Sequence, residues 1–158
     1  MSYENVKHYF SGLGMGDKVK TFDVSSATVE LAAKAVGCEP ARIAKTLSFF
    51  LDEDQPILVV MAGDARVDNK KYKAKFGQKA KMIPFEQVEA ATGHVPGGVC
   101  PFAAKTNVTV YLDDSLKRFD VVYPAAGSGN SAVELTIPEL EKCSGSSGWV
   151  NLAQDIES

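Results

Sequence analysis

Two apolar runs around a short polar turn constrain this chain more than any other stretch: RIAKTLSFFL (42–51), then DEDQ (52–55), then PILVVMAG (56–63). Both runs are rich in aliphatic, β-branched and aromatic residues and too short for ordinary helices, so they predict a hairpin of buried strands. ILVVMA (57–62) is far below the roughly 20 apolar residues a membrane helix requires.

The flanking segments predict what covers that hairpin. Tyr3, Val6, Phe10 and Leu13 recur at helical spacing, with Gly12 and Gly14 as stop signals. VKTFDV (19–24) alternates as a strand does. Ser26 is a plausible N-cap for a helix over 27–37, with Val29, Ala32, Ala33 and Val36 as its apolar stripe and Gly37 at its end. Residues 66–77 predict a helix ending in glycine, AKMI (80–83) a short strand, and 84–93 a short helix running from Pro84 to Gly93. NVTVYLD (107–113), FDVVYPA (119–125) and SAVELTI (131–137) predict strands, 137–145 a final helix, and GWVNL (148–152) a strand closing the sheet. Strands outnumber helices and many are hairpin-linked. The expected fold is therefore mixed α/β, a central mixed, mostly antiparallel β-sheet flanked by helices, in one domain over 1–158.

The net charge of −3 gives no support to wholesale nucleic-acid binding. The distribution is less even. KKYKAKFGQKAK (70–81) carries Lys70, Lys71, Lys73, Lys75, Lys79 and Lys81 without one acid, which reads either as a solvated surface or as a landing patch for a polyanion. The three cysteines, Cys38, Cys100 and Cys143, are widely spaced and odd in number, which disfavours a disulfide framework and suits a reducing compartment. The first ten residues lack the basic-then-apolar order of a signal peptide, so a cytoplasmic location, with no membrane partner, is expected.

Lys45 is the first residue out of place. By period two it shares a strand face with Ile43, Leu47 and Phe49, and a lysine there must find a cavity, a partner or a route to solvent. A lysine facing a cavity can bind a carboxylate or phosphate as a compact cation. TGHVPGGVCPF (92–102) is the second feature. Gly93, Gly97 and Gly98 admit positive φ and close approach, Pro96 and Pro101 stiffen the loop, and free N–H groups there could form an anion nest or oxyanion hole. AAGSGNS (125–131) is the third, a turn whose Ser128, Asn130 and Ser131 could wall a polar pocket.

The specific enzyme templates fail. Neither phosphate-binding glycine motif nor the serine nucleophile elbow is present, and with only His8 and His94 a His-rich metal site is impossible. A Cys100–His94 couple is conceivable, but the Val99 and Pro101 neighbours argue for a dull thiol.

Lys45 in ARIAKTLSFF, then TGHVPGGVCPF, then AAGSGNSAVELTIPEL, in that order and spacing, resemble the YbaK family of aminoacyl-tRNA deacylases, free-standing relatives of the editing domain of bacterial prolyl-tRNA synthetases. The similarity runs from about Ser26 to Leu140 and includes GDARVDNKKYKAKFG. It implies hydrolysis of the ester of mischarged tRNA, with tRNA(Pro) carrying Ala or Cys the first expectation. It implies no cofactor and no metal, with the acceptor end of tRNA, and prolyl-tRNA synthetase, as partners. Carried over, Lys45, Gly97 and Gly98 are the catalytic positions. Gly93 and Pro96 complete the first loop, and Gly127, Ser128 and Gly129 form the second, closing loop. Phe22, Thr46 and His94 are the further substrate-binding candidates, and Lys70, Lys71, Lys73 and Lys75 the tRNA contacts. The residues themselves suit that chemistry: an aminoacyl ester is already activated, so orientation and backbone donors can provide much of the acceleration. A non-catalytic module of the same fold, binding aminoacyl-tRNA or a synthetase, and a cysteine hydrolase using Cys100 and His94, remain the alternatives.

Overall fold

The structure is a computed structural model and describes residues 2–154. Helix α1 (Ser2–Gly12) and strand β1 (Val19–Thr21) lead to helix α2 (Val29–Val36). The long strands β2 (Ile43–Leu51) and β3 (Gln55–Ala62) follow, then α3 (Asn69–Phe76) and the short α4 (Val88–Thr92). Strands β4 (Thr109–Asp113), β5 (Val121–Pro124), β6 (Ser131–Val133) and β7 (Leu135–Thr136) precede α5 (Ile137–Ser144) and β8 (Trp149–Val150).

The hairpin expected from residues 42–63 is the centre of a six-stranded sheet ordered β7-β5-β2-β3-β4-β8. β2 and β3 pair antiparallel from Ala44↔Ala62 to Leu51↔Gln55, the longest ladder of the fold. The sheet is mixed, as expected, but its junctions are not mostly antiparallel: β5–β7 and β2–β3 pair antiparallel and the other three junctions pair parallel. Its parallel share lies at the junctions β2–β5, β3–β4 and β4–β8, which no hairpin turn joins and the alternation of single strands does not encode. A second sheet pairs β1 with β6.

Several boundaries move for local reasons. Helix α2 is capped by Thr28, whose hydroxyl accepts the Leu31 N–H at 3.2 Å, rather than by Ser26. Asp68 caps α3 in the same way, so that helix begins at Asn69 and not at residue 66. AKMI contributes only an isolated bridge, Phe49↔Met82, and the segment 84–93 opens with a 3₁₀ turn at Phe85–Gln87. The run 131–137 is not one strand. Val133 lies in the small sheet and Leu135 in the large one, with the break at Glu134. The capping box Thr136/Glu139 then starts α5.

The core lies over the sheet. From Ile57 to Ala62 β3 is fully covered, and Tyr72 of α3 packs its ring 5.1 Å from that of Phe49. On the α1 side Phe10 meets Phe102 edge-to-face at 4.8 Å. Each such side chain contributes roughly 1.5–3 kcal/mol by leaving water, so α1 and the loop carrying Phe102 are held firmly together.

Candidate active site

β2 is buried at Ile43 and Ala44 and again from Ser48 to Phe50, yet only half-buried between them at Lys45, Thr46 and Leu47. A central strand shows its middle only where the covering layer stands away. Here a cavity of about 180 Å³ opens over Lys45 and Thr46, walled by Ala27 ahead of α2, by Gly97 and by Ser131. The two features that looked anomalous in the sequence, the lysine on an apolar strand and the glycine loop, meet at this cavity.

The Lys45 ammonium is held by main chain. It donates to the carbonyl oxygen of Ala65, and to that of Gly63 at 3.4 Å, in the turn that follows β3. No carboxylate pairs with it among the described residues. Burial pushes its pKa below the ordinary lysine value, while the nearby Asp64 charge pulls the other way. Beside it the Thr46 hydroxyl is buried without a hydrogen-bond partner. An unpartnered buried hydroxyl is costly unless a ligand uses it.

The two glycine loops touch through their backbones, and this divides the glycines by task. Gly97 has φ +87° and lines the cavity; a Cβ there would sit 3.2 Å from Ala27 Cβ. Among the described residues its N–H makes no hydrogen bond. Gly98 does something other than the sequence suggested. Its N–H is spent on Val95 O at 3.0 Å, and an added Cβ would overlap the Gly127–Ser128 peptide. It locks loop to loop and is not a free donor. Gly127, φ +89°, is wedged against Ser2, where a Cβ would come within 2.7 Å of the carbonyl oxygen. Gly129 lies behind the cavity-lining Ala27, 3.6 Å from its Cβ by the same measure, and its carbonyl accepts the Ser26 N–H.

The other candidates lie outside the cavity wall. Gly93 closes α4 with φ +89° and faces Lys105, and the half-buried Pro96 is not among the lining residues. Phe22 pins the second loop by accepting from Asn130 Nδ2 and donating its N–H to Asn130 O. Ser128 bonds Asn130 and Ser131 and faces a shallower groove beside Ser2 and Tyr3. His94 is fully buried. A carbonyl only accepts, so His94 Nε2 carries the proton toward Phe102 O at 2.7 Å, and Nδ1 accepts from the Ser2 hydroxyl at 2.6 Å. With both ring nitrogens engaged, His94 is a post between the loop and α1 and not a substrate contact.

Cys100 lies 3.6 Å from His94 Nε2 but is fully buried, and burial pushes its thiol up to about 12. Such a thiol is inert as a nucleophile near neutral pH. The cysteine-hydrolase reading therefore fails on geometry and acidity alike.

The lysine run splits as well. Lys70, Lys73 and Lys79 surround one open depression, whereas Lys71 is turned toward the C-terminal segment, donating to Ala153 O at 2.6 Å and Asn151 Oδ1 at 3.3 Å. Lys75 rests over the Tyr111 ring at 5.9 Å. Of the three loop residues expected to wall a polar pocket, Ser128, Asn130 and Ser131, Ser131 does line the cavity, whereas Ser26 and Ala27 were missed as walls. Small side chains just ahead of a helix carry no signal until the topology brings them to a cavity.

A mixed sheet whose central strand offers one lysine to a glycine-walled cavity defines an α/β domain of the YbaK editing type. The chain belongs to the aminoacyl-tRNA editing domain family, which it matches over residues 23–143, a span holding Lys45 and both loops. It is similar to the uncharacterized protein YwhH of Bacillus subtilis (strain 168), 49% identical over 157 residues, covering 99% of this chain and 100% of that protein. It is 30% identical over 109 residues to EbsC of Enterococcus faecalis (strain ATCC 700802 / V583), a candidate Cys-tRNA(Pro)/Cys-tRNA(Cys) deacylase, covering 68% of this chain and 66% of that one. A crystal structure described as that of a candidate trans-editing enzyme for prolyl-tRNA synthetase superposes with TM-score 0.85 at 29% identity, covering 98% of both chains. Among the described residues no helix is long and apolar enough to cross a membrane.

Proposed function

We propose that this protein is a hydrolase of mischarged aminoacyl-tRNA, releasing a small amino acid from the 3′ end of tRNA(Pro), with Ala and Cys the first candidates. The observation that carries the reading is the Lys45 ammonium, held on neutral carbonyls at the edge of a small cavity whose opposite wall is Gly97 main chain. A cavity of about 180 Å³ falls below the roughly 300–1,000 Å³ of drug-sized sites. That favours a small aminoacyl group over a large one.

The chemistry asked of the protein is modest. The aminoacyl ester is reactive, so holding it against a water with charge stabilisation at the developing oxyanion can supply the acceleration. In this reading Lys45 binds the acceptor end as a compact cation, the Gly97 N–H faces the ester, and the Thr46 hydroxyl takes a polar group of the substrate. Gly98 and Gly127 keep the two loops together. Lys70 and Lys73 contact the tRNA backbone electrostatically. Docking on prolyl-tRNA synthetase is the further partner in this proposal.

The test is a panel of tRNA(Pro) charged with Ala, Cys, Ser and Pro, scored for released amino acid with wild type and Lys45→Ala. Hydrolysis of a small mischarged amino acid, with Pro spared and the variant inactive, supports the reading. Binding of charged tRNA without any release would favour a non-catalytic module instead.

A further inference from the structure

The turn that holds Lys45 is itself held by charge. Asp64 sits between Gly63 and Ala65, the two residues whose carbonyls receive the Lys45 ammonium. Its carboxylate is gripped on both oxygens by Arg118, Nη1 to Oδ2 at 3.1 Å and Nη2 to Oδ1 at 2.5 Å. The guanidinium is fixed in turn: Nε donates to Ser115 O at 2.9 Å, and the group lies 4.8 Å over the Phe119 ring. Ser115 closes the circuit, its hydroxyl accepting the Ala62 N–H at 3.0 Å as β3 ends. Gly63 is pressed from the other side, where a Cβ would overlap Pro40 O and approach Val29 Cγ1 to 2.8 Å.

This arrangement looks excessive for stability. Both partners of the Asp64–Arg118 pair are more than a third exposed, and exposed pairs contribute little to folding. Its effect on Lys45 is different in kind. Asp64 is the carboxylate nearest in sequence to the carbonyls holding Lys45 and the strongest attractive charge acting on that ammonium, ahead of Glu30, with Arg66 opposing. Yet Lys45 and Asp64 form no ion pair, and the carboxylate turns to Arg118 instead.

We propose that Arg118 is a positioning residue that sequesters the Asp64 carboxylate, so that the Lys45 ammonium stays on neutral carbonyls with its charge available to the substrate. A lysine paired to an adjacent carboxylate is a neutralised dipole and a weak partner for an anion or an oxyanion. Held on two carbonyls, it keeps its full charge and one N–H for the ligand. The proposal rests on the reading of this cavity as a deacylase site. It adds a residue that lies outside the cavity wall and has no contact with the cavity itself.

The experiment pairs two readouts across wild type, Arg118→Ala and Arg118→Ala/Asp64→Asn, each first shown to be folded by thermal melting. Arg118→Gln, which retains a stem over Phe119, is the companion if the alanine variant melts near the assay temperature. The first readout is deacylation of Ala- or Cys-tRNA(Pro). The single variant falls about tenfold or more, the scale expected for a misplaced catalytic group, and the double variant recovers most of the loss because Asn no longer draws the ammonium. The second is the pH titration of Lys45 Nζ by ¹⁵N NMR, assigned with Lys45→Arg. The midpoint rises in the single variant as Asp64 becomes the partner of Lys45, and returns in the double. A double variant as slow as the single one, or a Lys45 midpoint unmoved by Arg118→Ala, overturns the proposal. If wild type releases no amino acid from any charged tRNA, the deacylase reading falls, and the Lys45 midpoint still decides whether Arg118 sequesters Asp64.

Discussion

The backbone of Gly98 lies so close to Ser128 that a methyl group on Gly98 would overlap the Ser128 amide nitrogen. The two glycine loops, apart in sequence, are thus one rigid rim. Gly98→Ala forces the loops apart and is expected to lower stability by about 1–3 kcal/mol and to abolish deacylation. Gly97→Ala is a different lesion. It clashes with no backbone, so its cost is mainly the positive φ, about 1–2 kcal/mol, and its Cβ narrows the cavity against Ala27. Thermal melts with substrate panels check the pair: Gly98→Ala loses all substrates together, whereas Gly97→Ala loses the larger amino acid first.

Lys45 is predicted to be a group the fold would be better without. Burial disfavours its charged form, and sites built for function commonly sacrifice stability. Lys45→Met keeps the length of the stem and removes the charge. The expected outcome is no measurable deacylation with a melting temperature unchanged or raised by a few degrees. A marked fall in melting temperature would mean that Lys45 serves mainly to tie the turn after β3.

How much of this was legible in the sequence depends on the range of the interaction. The β2–β3 hairpin was plain because both runs are apolar and the turn between them is short. Lys45 stood out for the same reason, as one charge in an apolar strand. The division at Glu134 was not readable, since Ala132, Val133 and Leu135 are all apolar and nothing local says that two sheets share them. Nor was the role of His94. Its burial is set by Ser2, 92 positions earlier, and a histidine in a glycine loop looks functional until α1 is seen to cover it. The Asp64–Arg118 grip spans 54 positions and leaves no periodic trace at all.

The lysines of 70–81 should separate by position. Lys70 and Lys73 face the same open depression as Lys79, so Lys70→Glu/Lys73→Glu is expected to weaken tRNA binding uniformly across tRNA sequences. Each lost phosphate contact should lower the slope of log affinity against log salt by about one unit. Lys71 is engaged with Asn151 and Ala153, so Lys71→Met should act chiefly on stability. Binding isotherms at several salt concentrations, set beside melts, distinguish the two. An unaltered salt slope in the double variant would remove this face from the tRNA interface.

Finally, the His94 post should make the rim acid-sensitive. Desolvation holds the His94 pKa below its ordinary 6.5, with the Phe102 carbonyl opposing in part. The native imidazole is therefore neutral under conditions where the unfolded chain has begun to protonate. The sign follows directly. Above about pH 6.5 both states are neutral and the full stability is present; as pH falls, the unfolded state binds its proton first, and stability drains away until the lower native pKa is passed. Protonation also puts a hydrogen on Nδ1, which then can no longer accept from Ser2, so α1 loosens over the loop. His94→Gln cannot take up a proton, and its amide can still offer one donor and one acceptor. Melting temperature should fall for wild type between about pH 7 and about pH 5, and fall less steeply for His94→Gln even if the variant starts lower. Parallel pH profiles for the two proteins would show that the acid sensitivity belongs to some other group.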